Sequence, residues 1–371
     1  MFLQKLILTN FKNYPSIELE LSDKINCFVG SNGVGKTNLL DAIHYLSFCK
    51  SYFNVIDTQN ILHDQEFFSI QGVFVKNADA PDVIFCNQKR NHRKIVKLNK
   101  KEYERLADHI GLYPLVMVSP HDSDLIYSGS DERRRFLDSF ISQFDRMYLD
   151  NLINYNKALF QRNRLLKIFF ENRTFDKDSL DIWDSQLVML GNKIHDTRLS
   201  FVEDFTPFFN RFYQFISGNK EQVSLVYESQ MNDNSLEDLL ADSLKKDRMV
   251  QYTTCGIHKD DLVFHIGGFP LRKFGSQGQQ KSYTIAIKLA QFEYTKNIKG
   301  FKPILLFDDI FDKLDDQRVE HIVKLVTDNN FGQVFITDTQ KERIIRTMQK
   351  INSPGKVFMI DENNAHEIEI G

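Results

Sequence analysis

Apolar residues alternate loosely with polar ones over residues 2–9 and again over 17–21, and turn-forming Asn13, Tyr14 and Pro15 lie between, which predicts a β-hairpin. A third apolar run, Ile25–Val29, stops at Gly30. From about Thr37 the period lengthens: Leu39, Leu40, Ile43 and Leu46 recur at three-to-four spacing, so the order there is strand, Gly-rich loop, helix. Between 67 and 118 the short runs FFSIQGVFV, DVIFC and PLVMV predict more strands, broken by a basic turn and by a helix near 103–109. After Ser130 the pattern turns helical through Phe136, Phe140, Phe144, Met147, Ile153 and Leu159, and continues through Trp183, Leu187, Leu190 and Ile194. Polar stretches over 172–181 and 218–234 predict connections. From Arg248 strands return as MVQYTTCG and LVFHI, then a helix over 277–296, the apolar strand PILLF, a helix from Gln317 and a last strand, QVFIT. The fold expected is an α/β head built from both ends of the chain, residues 1–130 and 247–371, interrupted by a helical arm over 131–246.

Composition narrows the class without naming a function. The chain of 371 residues is 42% hydrophobic and 26% charged, enough apolar content for a real core. No stretch approaches the ~20 apolar residues of a membrane span, and the N-terminal apolar run contains Lys5 and has no small-residue cleavage site, so a cytoplasmic protein without membrane attachment is expected. Cys27, Cys49, Cys86 and Cys255 lie far apart with no C-x-x-C pair, which points to reduced packing residues. A net charge of -3 leaves nucleic-acid binding to a local basic surface.

Gly30, Ser31, Asn32, Gly33, Val34, Gly35, Lys36 and Thr37 fit the phosphate-binding pattern G-x-x-x-x-G-K-[ST] without substitution, between strand and helix as that loop requires. Its glycines let backbone N–H groups close around a phosphate, Lys36 reaches the β- and γ-oxygens, and Thr37 is expected to ligate Mg²⁺. Such a loop needs a carboxylate on a neighbouring strand, and Asp308, ending PILLFDD, is expected to hold the metal ion. Asp309 is expected to orient or activate the attacking water, or else to cap the following segment. Most of the chain separates Lys36 from Asp308, too much for a compact P-loop kinase or GTPase core. Before that strand stands FGSQGQQK, where Ser276 and Gly278 open a helix as a second anion site. Lys89, Arg90, Arg93, Lys94, Lys97, Lys100 and Lys101 place seven positive charges and no acid in thirteen residues, a candidate edge for DNA phosphates or else a solvated hairpin. Arg133, Arg134 and Arg135 are open between phosphate contact and an ion-paired helix face.

The Ser-x-Gly stretch resembles the signature of ABC-type ATPases, and 312–315 looks like their D-loop. Together with LTNFKNY, GSNGVGKTNLLDAI, SPHDSDLIYSGSDERRRFLD, GIHKDDLVF and LLFDDIFDKLD, the chain resembles the RecF family, bacterial recombination mediators with an SMC-like head and no long coiled coil. The resemblance implies an ATP- and Mg²⁺-dependent switch, a weak ATPase in which ATP closes two copies into a dimer that grips DNA and hydrolysis releases it. It implies Lys12, Asn13 and Asn38 near the nucleotide, and Ser276 and Gly278 facing the ATP of the second copy. Implied partners are single- and double-stranded DNA at gap junctions, RecR, and RecO. The sequence departs from the family at Ile257, Phe311 and Lys313, and it offers Thr337 where a switch histidine is common, leaving the γ-phosphate sensor open. The alternatives weighed are the ATPase subunit of an ABC transporter, disfavoured by the helical arm between Lys36 and Ser276, and a P-loop small-molecule kinase.

Overall fold

The structure is a computed structural model, described here for residues 1–76, 80–219, 221–309, 331–351, 354–362 and 364–369. The chain divides into two compact units, Met1–Asp122 with Ile285–Gly371, and Ser123–Thr284.

The first unit opens with the expected hairpin, β1 (Phe2–Phe11) and β2 (Tyr14–Glu20). It then gives β3 (Ile25–Val29), α1 (Lys36–Phe48), β4 (Phe67–Val75), β5 (Asp82–Lys89), β6 (Ile95–Leu98), β7 (Lys101–Glu102) and β8 (Leu115–Val118). Alternating patterns form one antiparallel sheet, ordered β2-β1-β4-β5-β6-β7. The continuous apolar runs build the other sheet. There β3 lies parallel to the strands Val334–Asp338 and Gly355–Asp361, and Val334–Asp338 is in turn parallel to Ile304–Asp308. These runs are buried on both faces, which is why INCFV and ILLFD carry almost no polar residue. Helix α1 packs on strands of both sheets and is buried nearly all round, its Leu39, Leu40, Ala42, Ile43, Tyr45 and Leu46 lying in one core with Leu6, Phe28, Ile70, Leu306 and Phe335, and its Asp41, His44 and Ser47 buried too. All four cysteines are buried free thiols.

The second unit holds α2 (Asp124–Tyr127), α3 (Ser130–Ile141), α4 (Arg146–Asn172), α5 (Lys177–Ser217), β9 (Val223–Glu228), α6 (Leu236–Val250), β10 (Asp261–Ile266), β11 (Phe269–Pro270) and α7 (Leu271–Phe274). Helices α4 and α5 form a long hairpin; Arg173 at φ 52 ends the first and Asp176, accepting from the Ser179 N–H, caps the second. This unit contains the expected arm but runs on to Thr284, because β10 pairs with β9 and ties 261–270 to the arm. Helix α8 (Gln277–Lys299) begins in the second unit and ends in the first.

Three local expectations are corrected. MVQYTTCG is not a strand: α6 runs to Val250, Gln251 caps it at φ 65, and the Thr254 N–H and hydroxyl both donate to Asp247, so the donors of the segment go to a side chain. The connection over 218–234 contains β9, whose Leu225 and Tyr227 are buried while Val226 and Glu228 are exposed. The helix near 103–109 is a single 3₁₀ turn, Leu106–Asp108. The helix from Gln317 and the D-loop over 312–315 lie outside the described residues. No helix among those described is long and apolar enough to cross a membrane.

Candidate functional site

Parallel strands deliver their C-terminal ends to one edge of a sheet, and in the first unit that edge collects the residues the motifs singled out. Opposite each other in register stand Asp308 and Thr337, Thr337 and Phe28, and Asp338 and Val29, so the ends of three strands meet where β3 runs into the Gly-rich loop.

The loop is shaped by glycines that no other residue replaces. A Cβ at Gly30 would lie 2.5 Å from the Ile360 carbonyl oxygen, and Gly35, at φ 110, would drive one to 2.3 Å from the Asn13 amide. Gly35 is the N-cap of α1, whose first turn carries no acidic residue, so the exposed rim Ser31–Asn32–Gly33 borders a helix end favouring anions. The Lys36 ammonium donates to the carbonyls of Gly30 at 2.8 Å and Ser31 at 2.7 Å. Burial pushes its pKa down, and Asp309, Asp308 and Asp338 oppose that shift.

Thr37 and Asp308 come together across the chain: the Thr37 hydroxyl donates to Asp308 Oδ1 at 2.8 Å. Two oxygens ligating the same octahedral Mg²⁺ from adjacent positions stand about 2.9 Å apart, given bonds of ~2.05 Å, so this pair fits that ion. The Asp308 carboxyl, 5% exposed, is pushed up by burial, against hydrogen bonds from Thr37 and Thr337 that hold it down. Thr337 also donates to Asp308 Oδ1 at 2.8 Å, and its oxygen accepts the Asp309 N–H at 3.0 Å. One buried hydroxyl thus braces both carboxylate residues. Its sequence signal was weak, a threonine at the end of an apolar strand. Asp309 is half-buried at φ 47, a left-handed turn directly after the strand.

The turn between β1 and β2 is brought against this loop. Asn13 donates to the Val34 carbonyl at 3.0 Å and accepts from Asn38 at 2.6 Å. Lys12 pairs with buried Asp41 of α1 at 2.6 Å and lies over the Phe53 ring. Asp41 is further held by the Ser51 hydroxyl and the Tyr52 N–H, so the Lys12 ammonium has a structural partner one turn into the helix.

In the second unit Ser276 forms a capping box: its oxygen accepts the Gln279 N–H, and Gln279 Oε1 accepts the Ser276 N–H at 2.7 Å. Gln279 Nε2 donates to Glu221 at 2.7 Å, which fixes the orientation of the amide. Ser276 is exposed, and its hydroxyl oxygen accepts from the helix while its proton remains available to donate.

The basic segment does not present a single edge. Lys94 turns inward to Asp57 at 2.5 Å and the Cys49 carbonyl at 2.6 Å, which removes it from the surface expected to meet DNA. Lys89, Arg90 and Arg93 are exposed, with Arg93 beside Glu102 at 3.2 Å. Arg133 grips Asp261 through two hydrogen bonds, and Arg134 donates to the Asp260 carbonyl and pairs with exposed Asp131, so these two are partly buried and held within the unit; Arg135 pairs with Glu132. His258 accepts from Tyr155 and donates to the Thr253 carbonyl, and burial lowers its pKa to about 4, leaving a neutral bracing residue.

Residues 2–365 match the RecF/RecN/SMC N terminal domain model. The chain is 50% identical over 368 residues to the DNA replication and repair protein RecF of Bacteroides thetaiotaomicron, covering 99% of both chains. It is 51% identical over 358 residues to that of Flavobacterium johnsoniae, covering 96% of this chain and 99% of the relative. The solved recombination mediator protein RecF-ATP in the RecFOR pathway superposes with a TM-score of 0.90 at 30% identity, covering 99% of this chain and 98% of that one. The Smc head bound to the C-winged helix domain of ScpA shares the fold, at a TM-score of 0.58, 15% identity, and coverage of 99% and 97%.

Proposed function

The chain belongs to the RecF family of DNA replication and repair proteins, within the wider RecF/RecN/SMC N-terminal domain family, and on that premise we propose that it is an ATP-operated switch on DNA. The observation that carries the reading is the 2.8 Å approach of the Thr37 hydroxyl to Asp308, which joins the phosphate loop to the carboxylate strand across most of the chain. ATP is the nucleotide, held over Gly30–Thr37, and the Lys36 ammonium exchanges two carbonyl acceptors for phosphate oxygens that relieve its burial better. Thr37 and Asp308 hold Mg²⁺, which when bound neutralises phosphate charge and fixes the reacting oxygens. Asp309, kept in place through its N–H by Thr337, accepts a proton from water or orients it for attack. Ser276 and Gly278 offer donors to the nucleotide of a second copy, so that ATP closes two copies on DNA and slow hydrolysis parts them. DNA phosphates meet Lys89, Arg90 and Arg93. RecR and RecO are the protein partners this reading assigns, with gapped DNA as the substrate. A transporter subunit or a metabolite kinase finds no support in relatives that match this chain end to end.

Two variants test the reading together. Lys36→Ala loses ATP binding while keeping the fold, and Ser276→Arg binds ATP but stays monomeric in light scattering. Mixed, they form a dimer holding one ATP, because the loop of one and the signature of the other complete one site. An ordinary ATP-dependent dimer of Ser276→Arg alone contradicts the assignment.

A further inference from the structure

Phe269 and Phe274 are 58% and 63% exposed, and their rings meet at 5.2 Å between centroids. Large side chains displayed this openly are normally scattered singly; two in contact form a patch. The patch stands on a firm base within the second unit. Phe269 opens β11 just after the hairpin turn, paired with Ile266, and Phe274 ends α7. Between them Leu271 is fully buried, and its carbonyl accepts the Gly275 N–H at 2.9 Å and the Gln280 amide at 3.3 Å. A Cβ at Gly275 would lie 2.7 Å from the Leu271 side chain and 2.8 Å from its carbonyl oxygen, so the chain passes tightly from Phe274 to Ser276. The backbone beneath the rings is closely packed, and it runs directly into the exposed Ser276 and its capping box.

We propose that Phe269 and Phe274 form an apolar anchor that packs against a second copy of this chain when ATP brings the two together. The proposal rests on the reading of Ser276 as an inter-subunit residue. Paired aromatic side chains beside a specific polar contact are the make-up of an interface hot spot, and Arg272 and Lys273, both exposed and without an ion-pair partner among the described residues, supply its hydrated rim. The size of the patch explains why it waits for nucleotide. Counted from both copies, the exposed parts of the rings amount to roughly 500 Å², whereas a stable interface buries about 1,200–2,000 Å². Alone the anchor holds nothing together; added to the nucleotide contacts it sets how long the dimer lasts.

The test uses the full-length chain, Phe269→Ser/Phe274→Ser and Phe269→Leu/Phe274→Leu, with a slowly hydrolysed ATP analogue. Analytical ultracentrifugation gives the dimer constant, equilibrium binding gives the ATP affinity of the monomer, and fluorescence anisotropy gives binding to oligo-dT. The serine variant is expected to bind ATP within twofold of wild type, to melt at the wild-type temperature, and to dimerise at least tenfold more weakly, and the leucine variant is expected to recover most of the loss. An unchanged dimer constant in the serine variant overturns the proposal while leaving the Ser276 reading intact. A normal dimer with weakened oligo-dT binding also overturns it and assigns the rings to nucleic acid. A wild-type protein that binds ATP and never dimerises overturns both.

Discussion

Replacing Thr337 with Val keeps the shape of the side chain and deletes one hydroxyl that serves two partners. The Asp308 carboxylate loses a hydrogen bond at 2.8 Å, and the Asp309 N–H loses its acceptor at 3.0 Å. A hydrogen bond to a charged group contributes about 1.5–3 kcal/mol, and an unsatisfied amide costs about 1–3 kcal/mol where water is excluded. Asp309 is half-buried, so water relieves part of the second cost and the sum falls near 3 kcal/mol. Thermal unfolding of the first unit should drop by roughly 5–10 °C. The lost hydrogen bond also raises the pKa of a carboxyl already pushed up by burial, so Asp308 needs more Mg²⁺ to stay ionised. With the Asp309 turn unbraced, turnover should fall roughly 10–100-fold, a barrier increase of about 1.4–2.8 kcal/mol, while ATP binding at saturating Mg²⁺ changes little. Calorimetry and a Mg²⁺-titrated phosphate-release assay measure both effects, with Thr337→Ser as the variant that restores the hydroxyl. Wild-type melting and turnover in Thr337→Val, or an equal defect in Thr337→Ser, refutes the bracing role.

Reversing Lys89, Arg90 and Arg93 to Glu should weaken DNA binding and flatten its salt dependence without altering ATP affinity, whereas Lys94→Gln should act on stability, because its ammonium already holds Asp57 and the Cys49 carbonyl; a salt titration of both variants decides this. Acid should destabilise the second unit through His258, whose folded pKa of about 4 lies below its ordinary 6.5. Between those values the unfolded chain binds the extra proton, so stability is lost as pH falls through that window, by about 3 kcal/mol in full. Partly buried Asp184 and buried Asp260, both pushed up by desolvation, act in the opposite sense, so the measurement is a difference: urea unfolding at several pH values should show wild type losing more than His258→Gln on acidification. Parallel slopes for the two proteins contradict the assignment.

Patterning revealed the elements that bury a continuous face. Strand β3 and the strand Ile304–Asp308 are apolar runs because both faces are covered, helix α1 sets its apolar residues at three-to-four spacing, and the arm helices repeat at helical spacing over many turns. The Gly-rich loop was legible because backbone geometry admits only glycine at Gly30 and Gly35. Harder to read were segments whose donors go to distant side chains: 251–256 looked like a strand until Asp247 and Asn163 took its hydrogen bonds. Charge was the least legible property. Lys94 and Arg133 belong to basic clusters in sequence, yet each turns to a carboxylate supplied from elsewhere in the chain, Asp57 and Asp261. Thr337 escaped a role for a similar reason, since only strand register sets it opposite Asp308.

The central claim is that hydrolysis at Asp309 times the release of DNA, and Asp309→Asn tests it most directly because the amide keeps size and hydrogen bonding but not the charge that draws a proton from water. ATP cleavage and DNA dissociation are followed in the same stopped-flow reaction, beginning from the ATP-bound dimer on gapped DNA. The account predicts that the variant forms this dimer, cleaves ATP at least a hundredfold more slowly, and holds DNA correspondingly longer than wild type. Cleavage at the wild-type rate would remove Asp309 from the chemistry, and arrested cleavage with DNA leaving as fast as before would contradict the timer itself.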